Sequence, residues 1–398
     1  MTSAGRFLAA GKVAIAGFAH SPVTRVEQMP LGVLTIETIK GAVADAGVTL
    51  DMIDGFSTAS ALVSSSGRDV VDGIHTVSSD WVVSQLGLEP RWVVGFQGIG
   101  QVSASFMLAV EAIASGAVDY AVVHRAMHNP SGSYHANPMV EAHGSAQWEA
   151  PQGMWGPPTY MALPYMEYLQ RYGARREDLA EIVVAQREAG AAYPWSYWKD
   201  DPITVDDYMS ARMIADPMSI LDCDIPVNGV AAFVLTTAER VRDLPNNPVY
   251  VRGSAMGTRR SSNMLADFAM DNIIAGGKHT ASKLWQSSGL RPDEVDVPQI
   301  YDGFSPVLWF WLEALGYAPD GQGYQFAKDP VATAGMTFRT GGGSIGTGRM
   351  HGVPQLLETY LQLSRRAGER QLNRADVGIA CHGLPHAGAA IALTAEPN

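Results

Sequence analysis

The chain has 398 residues, beyond the ~250–300 at which a single hydrophobic core stops growing, so two domains are expected. It is 46 % hydrophobic and 17 % charged, with a net charge of −12. That acidic balance disfavours a nucleic-acid binder, which needs a basic face, and a charge content below the usual ~25 % points to surface covered by a second subunit. Only two cysteines occur, Cys223 and Cys381, which excludes a disulfide framework and a Cys-rich zinc site and fits a reducing, cytoplasmic compartment.

The apolar N-terminal stretch 7–19 is split by Lys12 and predicts a first strand over 12–18, not a signal peptide. Helical spacing follows over Leu34–Ala46. A strand at Val93–Phe96 enters the glycine-rich turn Gly95–Gly100. The helix Val102–Ser115 has Phe106, Ala109, Val110 and Ile113 on one face, and the strand Tyr120–Val123 comes next. Residues 128–215, rich in His, Pro, Trp, Tyr and Met, read as an inserted loop domain over a cleft. It holds one clear helix pair, Tyr160–Tyr172 and Glu177–Ala189. The apolar run Val227–Leu235 predicts a central strand buried on both faces.

The second half starts near Pro248. It contains the strand Val249–Val251, a helix over Ala281–Ser288, the strand Gln299–Tyr301 and a helix over Pro306–Leu315. The glycine cluster Thr340–Gly348 leads to a helix ending near Arg366, then the strands 377–381 and Ala389–Thr394. No apolar run reaches the ~18–20 residues that span a bilayer.

Gly47–Asp54 returns as Gly289–Asp296, each time after a helix-like run and before a short segment ending in Gly-Phe, at Gly55-Phe56 and Gly303-Phe304. One repeat per half-chain excludes a solenoid, whose period is ~20–50 residues. A second echo joins Glu111–His124 to Gln362–His382. The expectation is an α/β fold, five-layered α-β-α-β-α, from two similar halves at 1–245 (with the loop domain at 128–215) and 246–398.

The ordered motifs Ser115–Ala121, Asn228–Thr236, Tyr301-Asp302-Gly303-Phe304-Ser305, Gly341-Gly342-Gly343, Gly348-Arg349-Met350-His351-Gly352 and His382-Gly383 resemble the thiolase superfamily. The resemblance is to its thiolase-like lipid-transfer branch related to sterol carrier protein X, and it runs from about residue 12 to 395. A thiolase places its nucleophilic Cys near Ile99, and no Cys lies before position 223. An acyl-enzyme route is therefore not expected, because a thiolate is what would take the acyl group.

The resemblance implies retro-aldol cleavage of a β-hydroxyacyl-CoA, such as a steroid side-chain thioester, with no permanent cofactor and CoA entering as part of the substrate. Tyr301 is the implied acid/base residue, with His351 or His382 as its partner. Because a free Tyr titrates near ~10, a basic Tyr301 needs nearby charge, for which Arg349 and His351 are candidates. Backbone N–H groups around Gly343, Ser344 and Gly383 would hold an oxyanion, with Arg349 and Cys381 as further substrate contacts. The family's second Tyr is replaced by Val353. His124, His128, His135 and His143 fit no standard zinc spacing. Implied partners are a second copy of the chain and a small OB-fold, zinc-ribbon acyl-CoA-binding protein. An acyltransferase using Cys381, a silent thioester-binding scaffold and a structural subunit remain as alternatives.

Overall fold

A computed structural model describes residues 7–26, 28–59, 77–96, 101–128, 144, 146–154, 156–261, 263–329, 338 and 340–397. The expected turn at Ile99, His135 and His143 lie outside them. The first half runs β1 (Val13–His20), α1 (Leu31–Asp45), β2 (Gly55–Thr58), α2 (Ser79–Leu86), β3 (Trp92–Gly95), α3 (Gln101–Ala114) and β4 (Tyr120–Met127). An excursion follows through α4 (Ala146–Glu149), α5 (Pro157–Tyr172), α6 (Arg176–Ala191), α7 (Val205–Ser210) and the hairpin of β5 (Met213–Ala215) and β6 (Met218–Ser219), before β7 (Gly229–Thr237). The second half runs β8 (Val249–Met256), α8 (Met264–Asp267), α9 (Met270–Ser288), β9 (Val297–Gln299), α10 (Val307–Ala314) and α11 (Gly323–Lys328). It ends with α12 (Gly343–Thr347), α13 (Val353–Leu363), β10 (Val377–His382) and β11 (Ala389–Thr394).

The main sheet has the order β3-β2-β4-β7-β1-β8-β11-β10-β9. Its two halves join at β1 and β8 through two facing positions, Ala14 with Tyr250 and Ile15 with Val249. Three hydrophobic clusters define the layers. One packs α1 and α2 on the outer face of the first half-sheet, through Ile39, Val43 and Val82. A central one joins Val123 and Phe233 to Val251 and Ile391 through Phe106 and Val110 of α3 and Leu356 and Tyr360 of α13. A third packs α9 and α10 on the outer face of the second half-sheet. The two half-sheets thus enclose one helical layer and carry another on each outer side. In β7, every residue but Thr237 is buried, which is why it reads as an unbroken apolar run.

The repeated segment takes the same shape twice. Gly47 (φ +72°) and Gly289 (φ +71°) both leave a helix in the left-handed conformation, where glycine has no Cβ penalty. A single 3-10 turn follows each, at Leu50–Met52 and Pro292–Glu294. Asp54 then accepts from the backbone N–H groups of Asp119 and Tyr120, and Asp296 from those of Asp376 and Val377. Each carboxylate thereby fixes the start of the parallel neighbour strand. Gly55 faces Ala121 and Val297 faces Gly378, so the register is the same in both halves.

Two expectations change. The insertion has no core of its own among the described residues: Tyr165, Tyr168 and Leu179 of α5 and α6 share a cluster with Trp309 and Trp311 of α10. The helix expected over Ala281–Ser288 starts eleven residues earlier, at Met270. Gly276 and Gly277 hide it in the sequence, yet a Cβ at either would press on His386, Pro385 or Ala314. Helix propensity yields there to close packing.

Candidate active site

β9 and β10 are parallel and end on the same side, where α/β folds collect functional groups. Tyr301 lies two residues past β9, and His382 is the last residue of β10. Their rings meet edge to face, with centroids 5.2 Å apart. The alternation of β10 explains the aim. Ile379 and Cys381 belong to the outer cluster and Ala380 to the central one, so His382 points inward. Cys381 therefore does not line the site, contrary to expectation. It is fully buried, and burial pushes its thiol well above the usual range, which leaves no thiolate.

The first half supplies a group that the sequence reading missed. In β4, Ala121 and Val123 face the central layer while Tyr120 and Val122 face outward. Arg125 shares the inward face and is 1 % exposed. It donates to the carbonyl of Ala59, and its other terminal nitrogen lies 2.8 Å from Nδ1 of His351. On the opposite side, Nε of Arg349 is 2.7 Å from Nε2 of His351. His351 itself has φ +48°, a conformation that costs a non-glycine residue roughly 1–3 kcal/mol and persists when its surroundings fix it. Burial, then Arg349, Arg125 and His382, push its pKa well below the ordinary value, so the imidazole is neutral. Burial lowers Arg125 to about 10 and Arg349 to about 9; both stay cationic at neutral pH. The site thus holds two guanidinium charges around a neutral ring.

Tyr301 differs from expectation in sign. Burial, then Asp224 and Asp302, push its phenol well above the usual range; Arg349 and His351 do not lower it. Tyr301 is a protonated donor, not a phenolate. A Cβ at Gly303 would meet both the Tyr301 hydroxyl and, at 2.9 Å, Oδ2 of Asp224, so these oxygens share one small space. Oδ2 of Asp224 is buried with no hydrogen-bond partner among the described residues. Burial, then Asp302, raises its carboxyl well above the normal range. The segment carrying it is tied on both sides: Asp224 N–H donates to Gly303, and Arg349 N–H to Ile225.

The glycine cluster serves an internal anion. Asp302 accepts from Ser344 N–H at 2.7 Å and Ile345 N–H at 3.1 Å, and from the side-chain amides of Gln186 and Gln355. A Cβ on Gly343 (φ +61°) would strike this carboxylate. Of the N–H groups expected to hold a substrate oxyanion around Gly343 and Ser344, that of Ser344 is therefore committed to Asp302, whose carboxyl burial raises to about 7. The cluster also lets α12 touch α6 backbone to backbone: a Cβ at Gly190 would collide with the Gly346 carbonyl. At the other turn, Gly383 (φ +71°) presents its carbonyl to Trp311 Nε1 at 2.7 Å.

Val353 is fully buried at the start of α13, in the central cluster, so no proton carrier replaces the family Tyr there. Burial raises the Cys223 thiol. His124 is fully buried and lowered to about 4 by burial. No group of three metal-binding side chains occurs among the described residues, and no helix among them is long and apolar enough to cross a membrane.

Residues 258–391 match the family described as "Thiolase C-terminal domain-like". The chain is 29 % identical over 359 residues to a steroid side-chain-cleaving aldolase of Thermomonospora curvata, covering 87 % of this chain and 89 % of that one. It is 27 % identical over 365 residues to a 17-hydroxy-3-oxo-4-pregnene-20-carboxyl-CoA lyase of Mycobacterium tuberculosis, covering 89 % and 92 %. Among solved structures it resembles the Ltp2-ChsH2(DUF35) aldolase, with a TM-score of 0.84 at 25 % identity over 97 % of this chain and 98 % of that one. Human mitochondrial 3-ketoacyl-CoA thiolase shares the fold, with a TM-score of 0.69 at 13 % identity over 98 % and 99 %. With its three hydrophobic layers and a site built from both half-sheets, the chain has the thiolase fold, carries a thiolase C-terminal domain-like segment, and is similar over most of its length to aldolases and lyases of this kind.

Proposed function

We propose that this protein is a carbon–carbon lyase that cleaves a β-hydroxyacyl-CoA by a retro-aldol reaction, with a steroid side-chain thioester as the substrate class. The observation that carries this reading is the protonated Tyr301 hydroxyl packed between His382 and Asp224, at a site where no thiol of the described residues points. Retro-aldol cleavage needs a group to take the β-hydroxyl proton, a positive field for the enolate, and a proton for Cα. It needs no nucleophile.

The substrate hydroxyl passes its proton to the Tyr301 oxygen as the phenol proton moves to Asp224. The β-carbon becomes a carbonyl, the Cα–Cβ bond breaks, and its electron pair enters the thioester as an enolate. Arg125 and Arg349 stabilise that charge in a buried setting, where such interactions are strong. His382 delivers a proton to Cα and regains one from Asp224 through Tyr301, so the proton lost by the hydroxyl balances the one gained by the carbon. CoA arrives and leaves with the acyl group, and no resident cofactor takes part.

The assembly is read as a homodimer. β3 is an end strand of the sheet, with Trp92, Val93 and Val94 only half-buried, and an apolar open edge invites pairing. The name of the related Ltp2-ChsH2(DUF35) aldolase joins two components, which supports a small OB-fold, zinc-ribbon acyl-CoA-binding protein as a further partner. Both cysteines are free thiols, which fits a cytoplasmic location.

The test is turnover of a β-hydroxyacyl-CoA by the purified protein, alone and with such a partner, monitored as carbonyl release. Equal release by wild type and Tyr301→Phe would reject the role of Tyr301. No release under any condition would leave a thioester-binding scaffold as the better reading.

A further inference from the structure

The pair Arg259-Arg260 looks isolated in the sequence, on a chain of net charge −12. In the fold it is not. The two arginines follow the end of β8, and α9 crosses beside them. Thr258, Arg259, Arg260, Gly276 and His279 line a cavity of about 350 Å³. Lys283, one turn beyond His279 on α9, reaches back to the carbonyl of Met256, the last residue of β8. Three basic side chains thus line one opening, and Lys283 lies nearby against the end of β8. Arg259 leans on Met264 and lies 3.9 Å from the buried Asp267. Arg260 has no acidic partner within salt-bridge distance among the described residues, and its side chain is exposed. Both guanidinium charges press on His386, against which Gly276 packs without room for a Cβ. The floor is therefore closely packed and the rim is cationic.

Its place in the sheet gives it meaning. Met256 faces Ala389 across β8 and β11, and Ala389 faces His382 across β11 and β10. Two strand spacings of ~4.8 Å put the end of β8 about 10 Å from His382 along one sheet edge. A CoA thioester carries its phosphates at the far end of an extended pantetheine arm, and that arm can span such a gap.

We propose that this cavity binds the nucleotide phosphates of the CoA thioester, with Arg259, Arg260 and Lys283 as the charged contacts and His279 and Thr258 as further polar contacts. The inference rests on the lyase reading for its ligand. The site anchors the substrate at a distance, and the acyl group is left to the residues around Tyr301.

The experiment measures equilibrium binding of CoA, dephospho-CoA and inorganic pyrophosphate by calorimetry to wild type and to Arg259→Ala/Arg260→Ala. Both arginines are exposed, so the variant should fold, and an unchanged melting temperature checks this. Losing charge-assisted phosphate contacts should weaken CoA about tenfold or more. The loss should be larger for CoA than for dephospho-CoA and should shrink as salt rises. In turnover, KM should rise with little change in kcat. Unchanged CoA affinity in the double variant overturns the site and leaves the lyase reading intact. A site that takes pyrophosphate but not CoA overturns the CoA assignment. No CoA binding to wild type breaks both.

Discussion

The two halves share a frame and differ at its tip. Asp54 and Asp296 each fix the first N–H groups of the next parallel strand, so β4 and β10 can be aligned residue by residue: Tyr120 with Val377, His124 with Cys381, Arg125 with His382. Both outer-facing members, His124 and Cys381, are fully buried in packing. Both inner-facing members reach His351, Arg125 by contact and His382 electrostatically. Past β2 the first half has Ala59, whose carbonyl holds Arg125. The matching position past β9 is Tyr301. One half has become the cationic wall and the other the proton-handling wall. A duplicated frame can divide a reaction between its copies because the frame, held by the Asp clamps, does not depend on what its tips carry.

The strongest way to break this division is Tyr301→Phe. Losing a group that moves a proton should cost ~10²–10⁴ in rate. Deleting one hydroxyl should change stability by about 1 kcal/mol, readable in a denaturant titration run beside the assay. Next comes Arg125→Met, which removes the first half's charge at similar length. Loss of a preorganised electrostatic contact should lower kcat by roughly 10²–10³. A fall as deep as that of Tyr301→Phe, accompanied by lost substrate binding, would mean the first half does more than stabilise charge.

A pH profile sharpens the division further. Burial, then Asp302, raises the carboxyl of Asp224, so the acid limb of kcat/KM should titrate above the ordinary carboxylate range and belong to the pair. With Asp224 as acceptor, activity rises as pH passes upward through that limb. Asp302→Asn removes the neighbouring negative charge, so the limb should move to lower pH; a limb that stays in place rules out Asp224 as the proton acceptor.

The clamps themselves give a smaller, thermodynamic comparison. Asp296→Ala and Asp54→Ala each strip two backbone N–H groups of a partner, worth about 1–3 kcal/mol in chemical unfolding. The Asp296 side chain is 5 % exposed and that of Asp54 20 %, so the Asp296 variant should be the less stable. Smallest of all, Cys381→Ala should leave turnover unchanged; a lost activity would restore the acyltransferase alternative.

The sequence was most legible where it repeats itself and where several motifs share an order. Gly47–Asp54 and Gly289–Asp296 foretold the duplication, and Tyr301, His351 and His382 do converge. What it hid was long-range. Arg125 lay beyond the strand read as Tyr120–Val123, although the strand runs on to Met127, and one charge in an apolar strand was the available signal. Asp302 stood inside the quoted Tyr-Asp-Gly-Phe-Ser motif, but its four donors come from residues 186, 344, 345 and 355. Asp224 carries no signal beside Cys223, since only the fold brings it against Gly303. The glycine cluster was recognised as a nest, and its anion turned out to be the protein's own.

The seam between α6 and α12 has a practical meaning for anyone who would retarget this scaffold. Exchanging the insertion for that of a relative looks like a simple graft, because its ends return to the main sheet. Yet Gly190 sits on Gly346, and Gln186 holds the carboxylate that tunes the neighbouring acid. A donor segment lacking that glycine and that amide would arrive as a wedge, prising α12 from Asp302 and detuning the reaction before any new substrate could be tried.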